Sequence, residues 1–147
     1  MKVKIKKLCK SAKTPTKGSE YACGYDAYAC IKDGNTVTIA PHETVKIGLG
    51  ICLQPEEGYY VGIYARSGLS SKEGLRPANC VGICDEDYRG EYMVALHNDS
   101  ETPRIVQDGE RIAQLVVHKR YDMEFEEVDA LDDTDRGKGG FGSTGKN

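Results

Sequence analysis

The sequence predicts an all-β domain, a β-barrel or jelly roll, and three observations lead to that prediction. Apolar and polar residues alternate over short stretches such as 2–6, which is the period of a half-buried strand. Turn residues, such as those at 55–58, separate these stretches. Helical spacing is limited to one short piece. Short, regularly spaced strands joined by glycine-rich turns are typical of barrels and jelly rolls.

Seven segments are predicted as strands, and each begins or ends near turn residues. The second follows Asp33-Gly34-Asn35, the fourth follows the turn at 55–58, and the sixth follows Asp108-Gly109. In the sixth strand, alternation places Arg111 and Gln114 on opposite faces, so that each needs its own partner. One or two helical turns are predicted at 70–75. The predicted strands are 2–6, 36–39, 45–47, 59–65, 91–97, 111–117 and 124–128.

Length and charge narrow the class of protein. The 147 residues indicate one domain with a proper core. Lys and Arg number 20 against 23 Asp and Glu, a net charge of −3, which argues against a nucleic-acid binder. The apolar runs are too short to span a membrane, and the lysine-rich start lacks a secretory apolar region, so we expect a cytoplasmic protein.

The six cysteines do not predict a zinc site or a disulfide framework. No Cys-x-x-Cys pair occurs, and only Cys80 and Cys84 are close in sequence. We expect reduced thiols that pack as small hydrophobic residues.

Four segments carry residues suited to chemistry. The backbone amides of the glycine-rich end at 136–145 are able to hydrogen-bond to phosphate oxygens. This end is not a P-loop, because Asn147 stands where Ser or Thr is required.

Segment 85–90 does not match a calcium loop. Its Asp85, beside two apolar residues, is expected to be partly desolvated, which suits a base that activates water. Segment 65–72 offers a phosphate nest or an ordinary helix cap, and 109–115 opens a strand.

Taken together and in order, these segments resemble the five motifs of the trimeric deoxyuridine triphosphatase (dUTPase) family. The likeness extends from about Ser11 to the C-terminus. The matching segments are 22–27, 66–69, 79–91, 109–115 and 136–145. The resemblance implies a distorted jelly-roll core over 1–130, and a flexible arm, 131–147, that closes over the active site. It also implies a homotrimer in which three chains share each site.

The resemblance further implies a dUTP diphosphatase, which supplies dUMP for thymidylate synthesis and keeps uracil out of DNA. Asp85 would activate the water that attacks the α-phosphorus of dUTP, with Mg²⁺ carried by the nucleotide. Tyr88 would exclude a 2′-hydroxyl. Asp26 and Arg111 would form a supporting ion pair. The remaining substrate-binding residues would be Asn79, Ile83, Cys84 and Met93 around uracil, Arg66, Ser67, Gly68 and Gln114 at the phosphates, and Arg136, Phe141, Gly142, Ser143 and Thr144 from the arm.

Two positions depart from the family pattern, and two other functions stay open. Ala65 stands where proline is common, and Cys84 replaces an aliphatic residue beside the catalytic Asp85. Modification of Cys84 is therefore expected to slow turnover. A dCTP deaminase shares the fold but uses a glutamate near the base. A non-catalytic regulatory protein would bind nucleotide without turning it over.

Overall fold

A computed structural model describes residues 1–32 and 35–140 of the chain. Within these residues, twelve strands and one short helix confirm the predicted all-β class. In chain order they are β1 (Lys4–Lys7), β2 (Thr16–Lys17), β3 (Tyr25–Tyr28), β4 (Thr36–Ile39), β5 (Thr44–Gly48), β6 (Ile51–Gln54), β7 (Tyr59–Tyr64), α1 (Ser67–Glu73), β8 (Leu75–Pro77), β9 (Gly82–Cys84), β10 (Met93–Asn98), β11 (Arg104–Gln107) and β12 (Arg111–Lys119).

The described strands pair antiparallel in four sheets. The largest has the order β2-β3-β12-β7-β9, and the others are β5-β10-β8, β1-β6 and β4-β11. Strand β12, with nine residues, lies at the centre of the largest sheet between β3 and β7. Because β9 pairs with β7 at one edge, the segment that follows β9 is held against the main sheet.

The core lies where the inner faces of these sheets meet. Alternation is clearest in β10, where Val94, Leu96 and Asn98 are buried and the residues between them are not. Each buried aliphatic side chain contributes about 1.5–3 kcal/mol by leaving water. The largest fully buried apolar side chains are Tyr92, Ile39, Leu49, Ile51, Leu75, Leu96, Ile112, Val61, Val94 and Val106.

The helix begins earlier and ends earlier than the predicted 70–75. It runs from Ser67 to Glu73, and Gly74 ends it in the left-handed conformation, at φ 71°. Glycine adopts that conformation without steric cost, which makes it a common helix end. Leu75, expected in the helix, is instead buried in strand β8.

The predicted strand at 124–128 is wrong. The last strand ends at Lys119, and residues 121–138 are exposed and without strand pairing in the described structure. A segment becomes a strand only when another strand pairs with it, and among residues 1–32 and 35–140 no strand pairs with 124–128. Among the described residues, no helix is long and apolar enough to cross a bilayer.

Candidate active site

Strands β9 and β10 and the segment between them form a cavity of about 290 Å³. The cavity brings together six of the residues predicted for the site: Asn79, Ile83, Cys84, Asp85, Tyr88 and Met93. Five further residues complete its lining: Gly82 and Glu91, which lie within the predicted segment 79–91, and Lys46, Ile63 and Ala95, which the sequence did not single out. Lys46 and Ile63 come from strands β5 and β7, which carry no motif of the site, so no local pattern in the sequence marks them.

The alternation of β9 decides which side chains are accessible. Ile83 is 65% exposed, whereas Cys84 is 9% exposed and points into the core. Asp85 follows on the same side as Ile83 and is exposed. The expected partial desolvation of Asp85 is therefore wrong for the single chain, because its apolar neighbours in sequence do not cover its carboxylate.

A tight turn follows Asp85 and fixes Tyr88 at the mouth of the cavity. The Tyr88 N–H donates to the carbonyl oxygen of Asp85 at 3.1 Å, and its hydroxyl donates to the carbonyl of Glu91 at 3.0 Å. The ring occupies the space above Gly90, where an added Cβ would lie 2.6 Å from Cζ. The turn thus holds an aromatic ring in one orientation.

Glu86 anchors this turn to the rest of the fold. Its carboxylate accepts a hydrogen bond from the Gly58 N–H at 2.9 Å and pairs with Arg120 at 3.2 Å. Glu91 anchors the other end, since its Oε1 accepts from the Gly50 N–H at 2.9 Å. The turn that carries Asp85 is therefore fixed at both ends by carboxylates.

The thiol beside Asp85 is poorly placed for chemistry. Burial raises the pKa of Cys84 to about 11, so the thiol stays protonated near neutral pH. Behind it lies Tyr92, which is fully buried and whose hydroxyl has no hydrogen-bond partner in the described structure. Burial also raises the pKa of Tyr92. Cys84 contributes backbone to the cavity and a packed side chain to the core.

A second group of predicted residues surrounds Asp26, whose side chain is almost fully buried. The predicted ion pair with Arg111 is present at 3.2 Å, and Arg66 pairs with the other carboxylate oxygen at 3.1 Å. Gln114 donates to that same oxygen at 3.3 Å. Arg66 also donates to the backbone carbonyl of Arg111 at 3.0 Å.

The prediction that Arg111 and Gln114 need separate partners is wrong. The pairing of β12 with β3 shifts between Arg111 and Ala113, so one residue is added at that point. Such a bulge changes the side to which the following side chains point. Both Arg111 and Gln114 therefore reach Asp26. Gly24 leaves room for Gln114, because an added Cβ would lie 3.2 Å from its Oε1.

Three further predicted residues that the structure describes, Ser67, Gly68 and Arg136, are outside the cavity lining and do not hydrogen-bond to Asp26. Ser67 and Gly68 are exposed in the first turn of α1. Arg136 is exposed and donates to the carbonyl of Gly139 at 2.9 Å, within the arm. Phe141, Gly142, Ser143 and Thr144 lie outside the described residues. In the described part of a single chain, the predicted site residues therefore form two groups, one around the cavity and one around Asp26, and the remaining ones belong to neither.

Comparisons with known proteins agree on one family. A family model described as dUTPase matches residues 10–145. A deoxyuridine 5'-triphosphate nucleotidohydrolase of Helicobacter pylori (strain P12) is 45% identical, over 99% of this chain and 97% of its own length. One of Nautilia profundicola is also 45% identical, over 99% of this chain and the whole of its own.

Solved structures give the same match. A mutant of the Staphylococcus bacteriophage 80alpha dUTPase with dUpNHpp has a TM-score of 0.88 at 27% identity, over 98% of both chains. A second structure of that phage enzyme with the same compound has a TM-score of 0.82 at 27% identity, also over 98% of both chains.

Proposed function

The chain belongs to the dUTPase family, and from that premise we propose that it hydrolyses dUTP to dUMP and pyrophosphate. The observation that carries the proposal is the cavity of about 290 Å³ in which Asn79, Ile83, Asp85, Tyr88 and Met93 meet. It combines exposed apolar side chains, a backbone edge and one accessible carboxylate. The apolar side chains and the backbone edge would contact the base and the sugar, and the carboxylate would bind a water molecule.

The base would bind along the edge of β9. Ile83 and Met93 are 65% and 43% exposed, so both offer apolar surface to a planar ring. Backbone groups of residues 83–85 and the amide of Asn79 would pair with the polar edge of uracil. A site that pairs with one polar edge rejects bases with another pattern strongly, because its own groups would be left unpaired.

Tyr88 would select the sugar. Its hydroxyl is already engaged by the Glu91 carbonyl, at 3.0 Å, and this bond holds the ring under the position proposed for deoxyribose. A ring fixed in that way leaves no room for a 2′-hydroxyl. UTP would therefore be rejected by contact with the ring.

Asp85 would orient a water molecule and accept its proton as the oxygen attacks the α-phosphorus. The carboxylate is exposed in the single chain, so water reaches it. Fixing the water and the phosphate in line supplies about 7–11 kcal/mol of the barrier reduction in well-oriented reactions. The bond to the bridging oxygen then breaks, and pyrophosphate leaves.

The triphosphate would be bound by Arg66, Ser67, Gly68 and Gln114 of another chain. Asp26 fixes both Arg66 and Gln114, so their donors are oriented before substrate binds. Arginine is suited to this task because its guanidinium pairs with phosphate in a fork. Arg136, Phe141, Gly142, Ser143 and Thr144 of a third chain would close the arm over the nucleotide.

A homotrimer would bring these groups together. Its support is the exposed apolar surface of the segment after β12, where Tyr121, Met123, Phe125 and Leu131 are 74%, 76%, 85% and 87% exposed. Apolar side chains spaced along one segment and left in water in the single chain are typical of a surface that another chain covers.

Magnesium would arrive on the nucleotide. Mg²⁺ is commonly held by substrate phosphates, water and at most one or two carboxylates. In residues 1–32 and 35–140, no three potential ligand side chains cluster to hold a metal ion. The ion would neutralise phosphate charge, and the residues of this chain would orient the nucleotide and the water.

The proposed reaction fits a cytoplasmic role, in which it supplies dUMP for thymidylate synthesis and keeps uracil out of DNA. The experiment measures pyrophosphate release from dUTP, dCTP, dTTP and UTP with Mg²⁺, for the natural chain and for Asp85→Asn. Release from dUTP alone, abolished by the substitution, supports the proposal. Ammonia release from dCTP would indicate a deaminase, and dUTP binding without release would indicate a regulatory protein.

A further inference from the structure

Two of the six cysteines, Cys9 and Cys30, lie face to face outside the candidate active site. Their sulfur atoms are 2.8 Å apart, although 21 residues separate them in sequence. Ser11 completes the cluster, with its Oγ 3.3 Å from the sulfur of Cys9 and 3.7 Å from that of Cys30. The remaining cysteines are not in this cluster.

The turn between β5 and β6 holds both cysteine segments in place. The Cys30 N–H donates to the carbonyl of Gly48 at 2.8 Å, and the N–H of Leu8, next to Cys9, donates to the carbonyl of Gly50 at 2.8 Å. Gly50 makes room for the pair, because an added Cβ would lie 2.6 Å from the sulfur of Cys30. The fold, and not chance contact of mobile side chains, therefore sets the sulfur–sulfur approach.

The two thiols differ in accessibility. Cys9 is exposed and Cys30 is half-buried, and both line a surface cavity of about 480 Å³ that Lys10 and Lys32 also line. Glu91 also lines this cavity, and the thiolate form of a cysteine is the nucleophile. One thiol is thus open to a reagent from solvent, and the other lies directly behind it.

The pKa values of the two thiols also differ, and the exposed thiol has the lower one. Hydrogen bonds from Cys30 and then from Ser11 lower the pKa of the Cys9 thiol. Burial, followed by the hydrogen bond with Cys9, raises the pKa of the Cys30 thiol. Cys9 therefore becomes the thiolate first.

We propose that Cys9 and Cys30 form a dithiol site that low-molecular-weight disulfides oxidise to an intramolecular disulfide. The Cys9 thiolate attacks one sulfur of the reagent, the reagent's S–S bond breaks, and one reagent thiolate leaves. Cys30 then loses its proton and attacks the sulfur of Cys9, which releases the second reagent thiolate. Two protein thiols lose two electrons, the reagent gains them, and the two protons go to the released thiolates.

Little movement is needed to close the bond. A disulfide has a sulfur–sulfur distance of about 2.0 Å, and the thiols already lie at 2.8 Å. The bond would join the segment after β1 to the segment after β3, and closing a loop in the unfolded chain stabilises the folded one. The oxidised protein is therefore expected to unfold at a higher temperature than the reduced protein.

The experiment treats the folded, full-length protein with oxidised glutathione, blocks the remaining thiols in denaturant, and maps the products by mass spectrometry. The expected result is a single disulfide that joins the peptides of Cys9 and Cys30, with Cys23, Cys52, Cys80 and Cys84 blocked. Cys30→Ser and Cys30→Ala are both expected to stop with one glutathione on Cys9. Cys9→Ser is expected to leave Cys30 free.

A matched control is Cys23→Ser, which removes another exposed thiol and is expected to leave the Cys9–Cys30 bond unchanged. Two outcomes would overturn the proposal. In one, Cys9 and Cys30 both remain free thiols, and are therefore alkylated by the blocking reagent, under conditions in which Cys23 acquires glutathione. In the other, oxidation joins Cys9 or Cys30 to a different cysteine.

Discussion

At the scale of single residues, Asp26 organises more of the proposed phosphate site than any other side chain. It is 4% exposed, and its two oxygens serve Arg66, Arg111 and Gln114. A buried carboxylate is tolerated only when such partners compensate its lost hydration. Asp26 acts through the residues that it positions, since the proposed phosphate contacts belong to Arg66 and Gln114.

Replacing Asp26 with Asn is expected to lower the free energy of unfolding by about 3 kcal/mol, because breaking a buried pair leaves charges uncompensated. We also expect kcat/KM for dUTP to fall at least tenfold. Urea unfolding and steady-state kinetics measure both effects. The control is Asp99→Asn, which removes an exposed partner of Arg76 and should lower the free energy of unfolding far less, because solvent screens exposed ion pairs. Equal costs at the two positions would contradict this account.

Cys84 gives a second prediction for a single residue. Its thiol is buried and its pKa is raised to about 11, whereas Cys9 is exposed and its pKa is lowered. Iodoacetamide reacts with thiolates, so Cys9 should be alkylated first and Cys84 among the last. Mass spectrometry against time, with turnover measured in parallel, checks the order. Turnover should fall only as Cys84 reacts, and unchanged turnover after its full modification would exclude a role for that position.

At the scale of elements, the turn between β9 and β10 depends on Gly90. Any Cβ at this position would overlap the ring of Tyr88, at 2.6 Å from Cζ. The ring would then have to leave the orientation fixed by its bond to the Glu91 carbonyl. The proposed discrimination by Tyr88 between deoxyribose and ribose therefore requires glycine at position 90.

Gly90→Ala is expected to raise KM for dUTP about tenfold and to reduce the preference for dUTP over UTP by a similar factor, because the displaced ring no longer excludes a 2′-hydroxyl. Kinetics with both nucleotides measure the two ratios. Gly18→Ala is the control, since an added Cβ there meets nothing within 4 Å. If the preference for dUTP is unchanged in Gly90→Ala, the ring does not select the sugar.

Most of the predicted strand segments fall on observed strands, whether one face is buried, as in β10, or the strand is exposed throughout, as in β1. The segments at 36–39, 45–47, 59–65, 91–97 and 111–117 all fall on observed strands. Strands of two or three residues, such as β2, β8 and β9, are too short to show a period, and neighbouring strands alone define them. The segment at 124–128 has apolar residues only at Phe125 and Val128, three positions apart, so it lacks strict alternation, and no strand of the described residues pairs with it.

The grouping of residues around the cavity was predictable where one stretch of chain builds it. Asp85, Tyr88 and Met93 lie along the segment that runs from β9 into β10, and the structure places them around one cavity. The contacts of Asp26 were harder to predict, because a bulge in β12 brings Arg111 and Gln114 to the same carboxylate. A strict period of two assigns those two side chains to opposite faces of the strand. No feature of the sequence indicates that β12 has an additional residue at the bulge.

At the scale of the whole molecule, the described part of a single chain does not bring the proposed base site, phosphate site and arm together. The cavity at β9 and β10 is lined by neither Arg66 nor Gln114, and Arg136 contacts the arm itself. A proposed trimer with shared sites explains how separated groups serve one substrate.

Mixing two inactive variants tests this sharing. Asp85→Asn lacks the proposed base, and a chain ending at Asp135 lacks the part of the arm from Arg136 onward, which carries its predicted substrate-binding residues. If each site takes Asp85 and the arm from different chains, unfolding and refolding the two variants together restores part of the activity, since some mixed sites combine an intact Asp85 with an intact arm. Pyrophosphate release before and after mixing measures the gain, and the natural chain refolded alone is the control. Mixed trimers without any gain would mean that each site belongs to one chain.

The most direct test of the central claim is hydrolysis of dUTP in heavy-oxygen water by the natural chain, with mass analysis of both products. Attack by an Asp85-activated water on the α-phosphorus places one heavy oxygen in dUMP and none in pyrophosphate. We expect that distribution, and we expect Asp85→Asn to form neither product at a comparable rate. Heavy oxygen in pyrophosphate, or turnover by Asp85→Asn equal to that of the natural chain, would contradict the proposed mechanism.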